Sequence, residues 1–270
     1  VQSSAVQLTG NSTIYYSKAF EAQAKYLRDE LQKQSGVTLL LQEIPLTKKL
    51  PPAGIVLLCD SATITKAEMY MLKSGGERVL ILAKDIRGFV NAAQTLLQLF
   101  PLKKQSTITF PAVAVTDYPQ FSYRGMHLDV VRHIFPASYI KKYIDYLTFH
   151  KFNTFHWHLT DDQGWRFEVS SYPKLNSVAS WRDSTLIGHF KDAPARYDGK
   201  RYGGYYTKAE IKEIVAYATV RGITIIPELD IPGHSRAAIA AYPQLSTKPD
   251  TVWNVATTWG MYNRQNNVLA

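Results

Sequence analysis

The amino-acid sequence predicts an α+β unit followed by the opening strands and helices of a (β/α) barrel. Three observations carry this reading. The first half alternates short runs rich in Ile, Val, Leu and Tyr with two helical periodicities, and it holds no cluster of histidines or carboxylates. The second half sets apolar strands on either side of amphipathic helices, the pattern of parallel strands joined by crossovers. Those later strands finish in bursts of His, Asp, Arg and Glu, and strand ends are where a barrel builds its active site.

In the first half, strands are expected near residues 12–16, 37–42, 54–59 and 79–83. Phe20, Ala24, Leu27 and Leu31 recur at helical spacing, and Ser35-Gly36 ends the run as a C-cap would. A second helix, about 86–99, lines up Phe89, Ala93, Leu96 and Leu97, with Pro101 beyond its end. This half reads as scaffold. Thr116-Asp117-Tyr118-Pro119-Gln120 is the junction, giving expected domains of residues 1–118 and 119–270.

After the junction comes a strand at about 125–130, then a helix at about 137–150 that would bury Ile140, Tyr143, Ile144 and Leu147, then a strand at about 152–159. A later helix opens with the capping box Thr207-Lys208-Ala209-Glu210. It carries Ile211, Ile214, Val215 and Ala218 on one face, closes at Gly222 and leads into the strand Ile223–Leu229. The segment between, residues 160–206, has little periodicity but many aromatics, including Trp165, Trp181, Tyr197 and Tyr202. Such length is functional or disordered. The aromatics argue for order, either as core or as a sugar-stacking wall.

Composition narrows the partners. Hydrophobic residues make up 46% of the 270 residues, enough for a real core. The net charge of +9 is spread over pairs such as Lys48-Lys49, Lys103-Lys104 and Lys141-Lys142, with no zinc-finger spacing or RNA-binding aromatic motif. A solvated surface, not a nucleic-acid partner, is expected. No apolar run reaches the roughly 18 residues of a membrane span. Val1–Ala5 lacks the basic head and apolar middle of a signal peptide. The single Cys59 cannot form an internal disulfide, and its apolar surroundings predict a buried, inert thiol.

The chemistry converges on three strand ends. His156 and His158, two apart in a strand, share a face and lead to Asp161 and Asp162. Pro227-Glu228-Leu229-Asp230-Ile231-Pro232-Gly233-His234 brings Glu228, Asp230 and His234, while Arg132 and His133 follow the first barrel strand. Two chemistries fit. His156, His158 and Asp161 could hold a catalytic metal. Alternatively Arg132 and the carboxylates grip sugar hydroxyls while an Asp–His pair tunes a general acid. A guanidinium beside a dication would be repelled, which favours the second.

These motifs are specific enough to place. Arg124-Gly125-Met126-His127-Leu128-Asp129-Val130-Val131-Arg132-His133, then Phe152–Arg166, then Pro227–His234 closely resemble the family 20 glycoside hydrolases, the exo-acting β-N-acetylhexosaminidases. The resemblance implies an α+β accessory domain followed by an incomplete (β/α)8 TIM-type barrel, about its first three βα units. It also implies no cofactor or metal and a glycan partner with a terminal N-acetylhexosamine. Arg132 would hold the 3- and 4-hydroxyls of the sugar, and Asp161 and His234 would form a relay to the general acid. His158, Asp230 and Glu228 would support them. In that family the substrate's own N-acetyl carbonyl attacks the anomeric carbon.

This sequence departs from the family pattern in one respect. The family's His-x-Gly-Gly-Asp-Glu motif, which supplies the acid and its assisting carboxylate, does not occur. Residues 119–270 also compare with about 250 for a full barrel. The expectation is an N-terminal portion, inactive alone, with the remaining barrel segment on the same protein or a separate chain. Gln265–Ala270 would open the next barrel helix. The alternatives are a catalytically silent carbohydrate-binding fragment or a metal-dependent barrel hydrolase. A periplasmic or secreted location is expected.

Overall fold

The computed structural model describes residues 4–45, 50–100, 103–258 and 268–269. Lys48-Lys49, Pro101, the stretch 265–267, Ala270 and the first three residues of the chain lie outside these. The chain forms two compact units. One comprises residues 1–124 with 144–153 and 218–224, the other 125–143, 154–217 and 225–270.

The first unit is a mixed sheet with two helices. Its strands are β1 (Val6–Leu8), β2 (Thr13–Tyr16), β3 (Leu40–Glu43), β4 (Gly54–Cys59), β5 (Tyr70–Gly75), β6 (Arg78–Ala83), β7 (Ile108–Phe110) and β8 (Val113–Asp117). Helices α1 (Glu21–Ser35) and α2 (Ile86–Gln98) follow β2 and β6. Six strands form one sheet in the order β3-β2-β4-β6-β5-β8, with β1 and β7 paired separately. β2, β3, β4 and β6 run parallel, and β5 is antiparallel to both its neighbours. The helical periodicities are realised: Phe20, Ala24, Leu27 and Leu31 join Phe89, Ala93, Leu96 and Leu97 in one buried cluster with Ile14, Ile55, Leu57, Val79 and Ile81. The rings of Phe20 and Phe89 stack at 5.2 Å. Gly36 ends α1 in the left-handed conformation, φ 86°, where a side chain would be strained. Four strands were not expected from sequence: β1, β7, β8 and β5 are short or carry Lys73, Ser74 and Gly75, so their apolar signal is weak. Cys59 closes β4 only partly buried, its thiol 3.8 Å from the carbonyl of Lys84. It is less enclosed than its apolar run predicts, because the strand ends there.

The second unit contains β9 (Gly125–Asp129), β10 (Thr154–Asp161) and, last, β16 (Thr224–Leu229), with α5 (Lys208–Val220) before β16 and α6 (Arg236–Ala241) after it. Helix α3 (Ala137–Phe149) connects β9 to β10. β9 pairs β10 in parallel, with His127 opposite His156 and Asp129 opposite His158. β16 lies along the other side of β10. The two run the same way, since the Thr224 amide bonds to the Asn153 carbonyl and the Asp230 amide to Thr160 Oγ1 at the far end. Strand alternation sorts β10 into two faces: Phe155, Trp157 and Leu159 go into the apolar core, where Trp157 meets Tyr206 at 4.9 Å, and His156, His158 and Thr160 face the opposite way.

The capping box of α5 forms as written. Glu210 Oε2 accepts from the Thr207 amide at 2.8 Å, and Thr207 Oγ1 accepts from the Glu210 amide at 3.2 Å. Ile214 and Ala218 of that helix are buried, whereas Val215, assigned to the same face, is exposed. Residues 160–206 are ordered by short elements: β11 (Gly164–Trp165), α4 (Lys174–Ser177), β12 (Trp181–Arg182), β13 (Leu186–Ile187), β14 (Arg196–Tyr197) and β15 (Tyr202–Gly203). Their aromatics divide, Trp165 packing on a small core of Leu175, Ala179 and Ala237 while Tyr197 and Tyr205 stay exposed.

Candidate active site

Asp161 is the hub at the end of β10. It is 2% exposed. Its Oδ2 faces His158 Nε2 at 2.9 Å and Arg132 Nη2 at 2.5 Å. Its Oδ1 accepts from the Asp162 amide at 2.7 Å and faces His234 Nδ1 at 3.1 Å. Burial pushes the carboxyl upward, but the His158 hydrogen bond, the Asp162 amide and the charges of Arg132 and His234 outweigh it, holding Asp161 below its ordinary value.

His158 sits between two carboxylates. Its Nδ1 lies 2.9 Å from Glu228 Oε2, in a bent approach that makes this an ion-pair contact and not a collinear hydrogen bond. Burial draws the imidazole down, yet Asp161 and Glu228 together raise it above the ordinary histidine value. Glu228 Oε2 is also 2.6 Å from His156 Nε2 and 3.6 Å from His127 Nε2. Burial would raise Glu228, but His158 and then His156 bring it below its ordinary range.

Arg132 is set by its backbone. Asp129 Oδ1 accepts from the amides of Val131 at 2.8 Å and Arg132 at 3.2 Å, an Asx-type turn, while Oδ2 accepts from Arg132 Nη1 at 2.8 Å. The Arg132 carbonyl accepts from Arg182 Nη2 at 2.9 Å, and the Val131 carbonyl from Arg166 Nη2 at 2.6 Å. Arg166 is fully buried and also laces the carbonyls of Ser180 and Gly204. Burial, with Arg182 nearby, draws it down to about 10, so it stays charged at neutral pH. A recess lined by Arg132, Gln163, Arg182, His189 and Phe190 opens beside the Arg132 guanidinium.

His234 adopts a left-handed backbone, φ 50°, uncommon outside glycine, which turns its ring toward Asp161. Asp162 is fully buried, and its Oδ1 accepts from the Arg236 amide at 3.0 Å in the first turn of α6. It anchors that helix and lies 3.4 Å from His234.

Arg132, His158, Asp161, Glu228, Asp230 and His234 are thus brought to one rim. The carboxylate of Asp230 comes within 4.8 Å of ligand atoms of His158 and Asp161. His133, expected with them, turns to the Tyr202 ring at 5.4 Å. Sequence reasoning missed His127, Asp129 and Arg166. The period of two in Met126-His127-Leu128-Asp129 was the signal for the first pair, whereas nothing local marks Arg166. Among the described residues, three groups could hold a metal: His127, His156 and Glu228; His158, Asp161 and Asp230; Asp161, Asp162 and His234. His156, His158 and Asp161 do not make one such set. Alternation gives the two histidines one face, but His156 is committed to Glu228 and His158 to Asp161.

Comparison with known proteins places the chain in a family. Residues 121–270 match the model of "Glycosyl hydrolase family 20, catalytic domain", and residues 1–118 that of "Glycosyl hydrolase family 20, domain 2". A beta-hexosaminidase of Porphyromonas gingivalis is 40% identical over 86% of this chain and 29% of its own length. One from Akkermansia muciniphila is 36% identical over 94% of this chain and 48% of its own. The structure of a mutant Streptomyces plicatus beta-hexosaminidase in complex with product GlcNAc superposes with a TM-score of 0.81 at 31% identity, covering 99% of this chain and 50% of that one. The chain spans less than half the length of these curated relatives. With both domain models matched in order across it, the chain belongs to glycosyl hydrolase family 20.

Proposed function

We propose that the complete protein hydrolyses terminal, non-reducing β-linked N-acetylhexosamine residues by a substrate-assisted, retaining mechanism. The observation that carries this reading is the Asp161 carboxylate, buried and ionised between Arg132, His158 and His234. In this reading Arg132, fixed by Asp129 and Arg182, presents its guanidinium to two sugar hydroxyls. Asp161 orients His234, whose half-exposed ring passes that orientation to a general acid. The substrate carbonyl supplies the nucleophile, so no second catalytic carboxylate need attack. His158, Glu228 and Asp230 hold the carboxylate rim in place.

Residues 1–118 are read as the accessory domain and 119–270 as the N-terminal part of the catalytic barrel, about three βα units. The exposure of Met126 on β9 and of Ile226 and Leu229 on β16 supports this, because strands inside a closed barrel bury such side chains. Pro227 fits a strand with one paired side. No His-x-Gly-Gly-Asp-Glu run is present, so the acid and assisting carboxylate come from outside these 270 residues, and the chain alone is inactive. The partner is a glycan ending in N-acetylhexosamine. No helix among the described residues is long and apolar enough to cross a membrane. A periplasmic or secreted site of action suits such a substrate.

The test is hydrolysis of a chromogenic N-acetyl-β-glucosaminide by the purified 270-residue chain and by the same chain supplemented with the rest of a family 20 barrel. Turnover only in the second case is expected. Sugar binding without turnover in both would favour a carbohydrate-binding role, and full activity of the chain alone would overturn the account of the missing acid.

A further inference from the structure

We propose that His158 is a positioning residue, held as an imidazolium between Glu228 and Asp161, whose charge fixes the orientation in which Asp161 meets His234. This deepens the hydrolase reading, but only its kinetic consequence rests on that reading. The clamp itself is a statement about this chain.

The geometry sets the imidazole between two carboxylates. Each ring nitrogen of His158 stands 2.9 Å from a carboxylate oxygen, Nε2 from Asp161 on its own strand and Nδ1 from Glu228 on β16. The residue is 4% exposed. A neutral imidazole has one N–H, so one ring nitrogen would stand unprotonated against a carboxylate oxygen in a buried place, and the bent Nδ1–Glu228 approach makes that contact one of charge and not of hydrogen bonding. A charged ring meets both carboxylates with the opposite charge.

The surrounding charges point the same way. Asp161 and His156 face His158 from β10 itself. From β9 come Asp129 and His127, the latter with ring centroids 5.7 Å away. Arg132, in the following turn, is an unfavourable neighbour, its Nη1 3.4 Å from Nε2. Glu228 and Asp230 complete the ring from β16 and the residues after it. Asp129, Asp161, Glu228 and Asp230 therefore face a single guanidinium before any histidine is charged. An imidazolium at the centre lowers their mutual repulsion.

The consequence falls on Asp161. With Oδ2 shared by Arg132 and His158, the carboxylate cannot rotate without breaking two charged contacts, and Oδ1 is left aimed at the Asp162 amide and His234. A neutral or absent His158 frees that rotation, so His158 acts through Asp161.

The deciding experiment is a 15N–1H titration of the imidazole nitrogens in the intact 270-residue chain, with the His158 signals assigned by their loss in His158→Gln. At pH 7 both His158 nitrogens should show the shifts of a protonated ring, when an ordinary imidazole of pKa 6.5 is mostly neutral. A deprotonated nitrogen at that pH overturns the proposal. Glu228→Gln should move the His158 titration to lower pH, and an unmoved titration also overturns it. In the hydrolytically active protein, kcat should fall on the alkaline side along the titration seen by NMR. In His158→Gln that fall should vanish, with kcat lowered overall and KM within about twofold, a pattern that loss of packing alone would not give. A protonated ring in a protein that hydrolyses nothing supports the clamp and removes the hydrolase reading. A neutral ring in an active hydrolase does the reverse.

Discussion

Two buried carboxylates, one in each unit, show what makes a site. Glu68, 6% exposed in the first unit, is met by the Arg124 guanidinium, by Asn153 Nδ2 at 2.9 Å and by Arg87 Nη1 at 3.5 Å. Asp161, 2% exposed in the second, is met by Arg132, His158 and His234. Burial does not separate them. Nor does backbone strain, because Glu68 is itself left-handed at φ 59° and His234 beside Asp161 is at φ 50°. The partners do. Glu68 is held by two guanidinium groups and a carboxamide, and Asp161 by one guanidinium and two imidazoles, the side-chain type that carries protons nearest neutrality. The first is a fixed joint. The second can move a proton.

The largest expected effect tests that contrast directly. Asp161→Ala in the active protein should lower kcat/KM by roughly a thousandfold, within the range of a lost acid–base contribution. Glu68→Ala should leave kcat/KM per folded molecule within about twofold. Chromogenic glycoside kinetics on both variants would break the comparison if the two losses were similar.

Stability should reverse the ranking. Removing the Glu68 carboxylate leaves the Arg124 guanidinium, largely buried, without its partner, at a cost of about 3–5 kcal/mol by analogy with other broken buried pairs. Urea midpoints of wild type and Glu68→Ala measure it, and a change under about 1 kcal/mol would mean that water replaces the carboxylate.

The pH dependence sharpens the same point. His158 is raised in the folded state, so its contribution is complete below the unfolded value of 6.5 and is lost as pH rises through the folded value. Asp161 is lowered, so its contribution is present above 3.8 and is lost as pH falls through its folded value. The stability gap between wild type and His158→Gln should therefore narrow on the alkaline side. The gap for Glu68→Ala should stay level from pH 6 to 9, because that joint contains no histidine. Paired denaturation curves across that range would expose a His158 that is neutral throughout as a gap that does not narrow.

How much of this the sequence displayed follows from which interactions are local. Helices α1, α2 and α3 and the faces of Phe20–Leu31 and Phe89–Leu97 were legible, because a helix writes its buried stripe at fixed spacing. So was the convergence of Arg132, His158, Asp161, Glu228, Asp230 and His234, since each stands at a strand end inside a long motif. β5 was not, because it lies between β6 and β8 and its pattern is broken by Lys73 and Ser74. Arg166 was hidden for another reason. Its value lies in carbonyls of Val131, Ser180 and Gly204, which are far apart in sequence and have no side-chain signature. The pairing of Glu228 with His156 and His158 needed the strand register, which periodicity alone does not set.

The smallest effect compares two helix starts, one in each unit. Thr207 caps α5 through a reciprocal box with Glu210 on an exposed surface, so Thr207→Ala should cost about 0.5–1 kcal/mol. Asp85 caps α2 differently. Its Oδ1 accepts from the Gly88 amide at 2.7 Å, and its Oδ2 from the amide of Glu68 at 2.9 Å. Asp85→Ala thus loses a cap and also an anchor of the strained residue whose carboxylate meets Arg124, and should cost about 1–2 kcal/mol. Urea midpoints measured together decide between them. Equal losses would mean that the Glu68 backbone is held by its side-chain partners alone, and that the fixed joint needs no support from below.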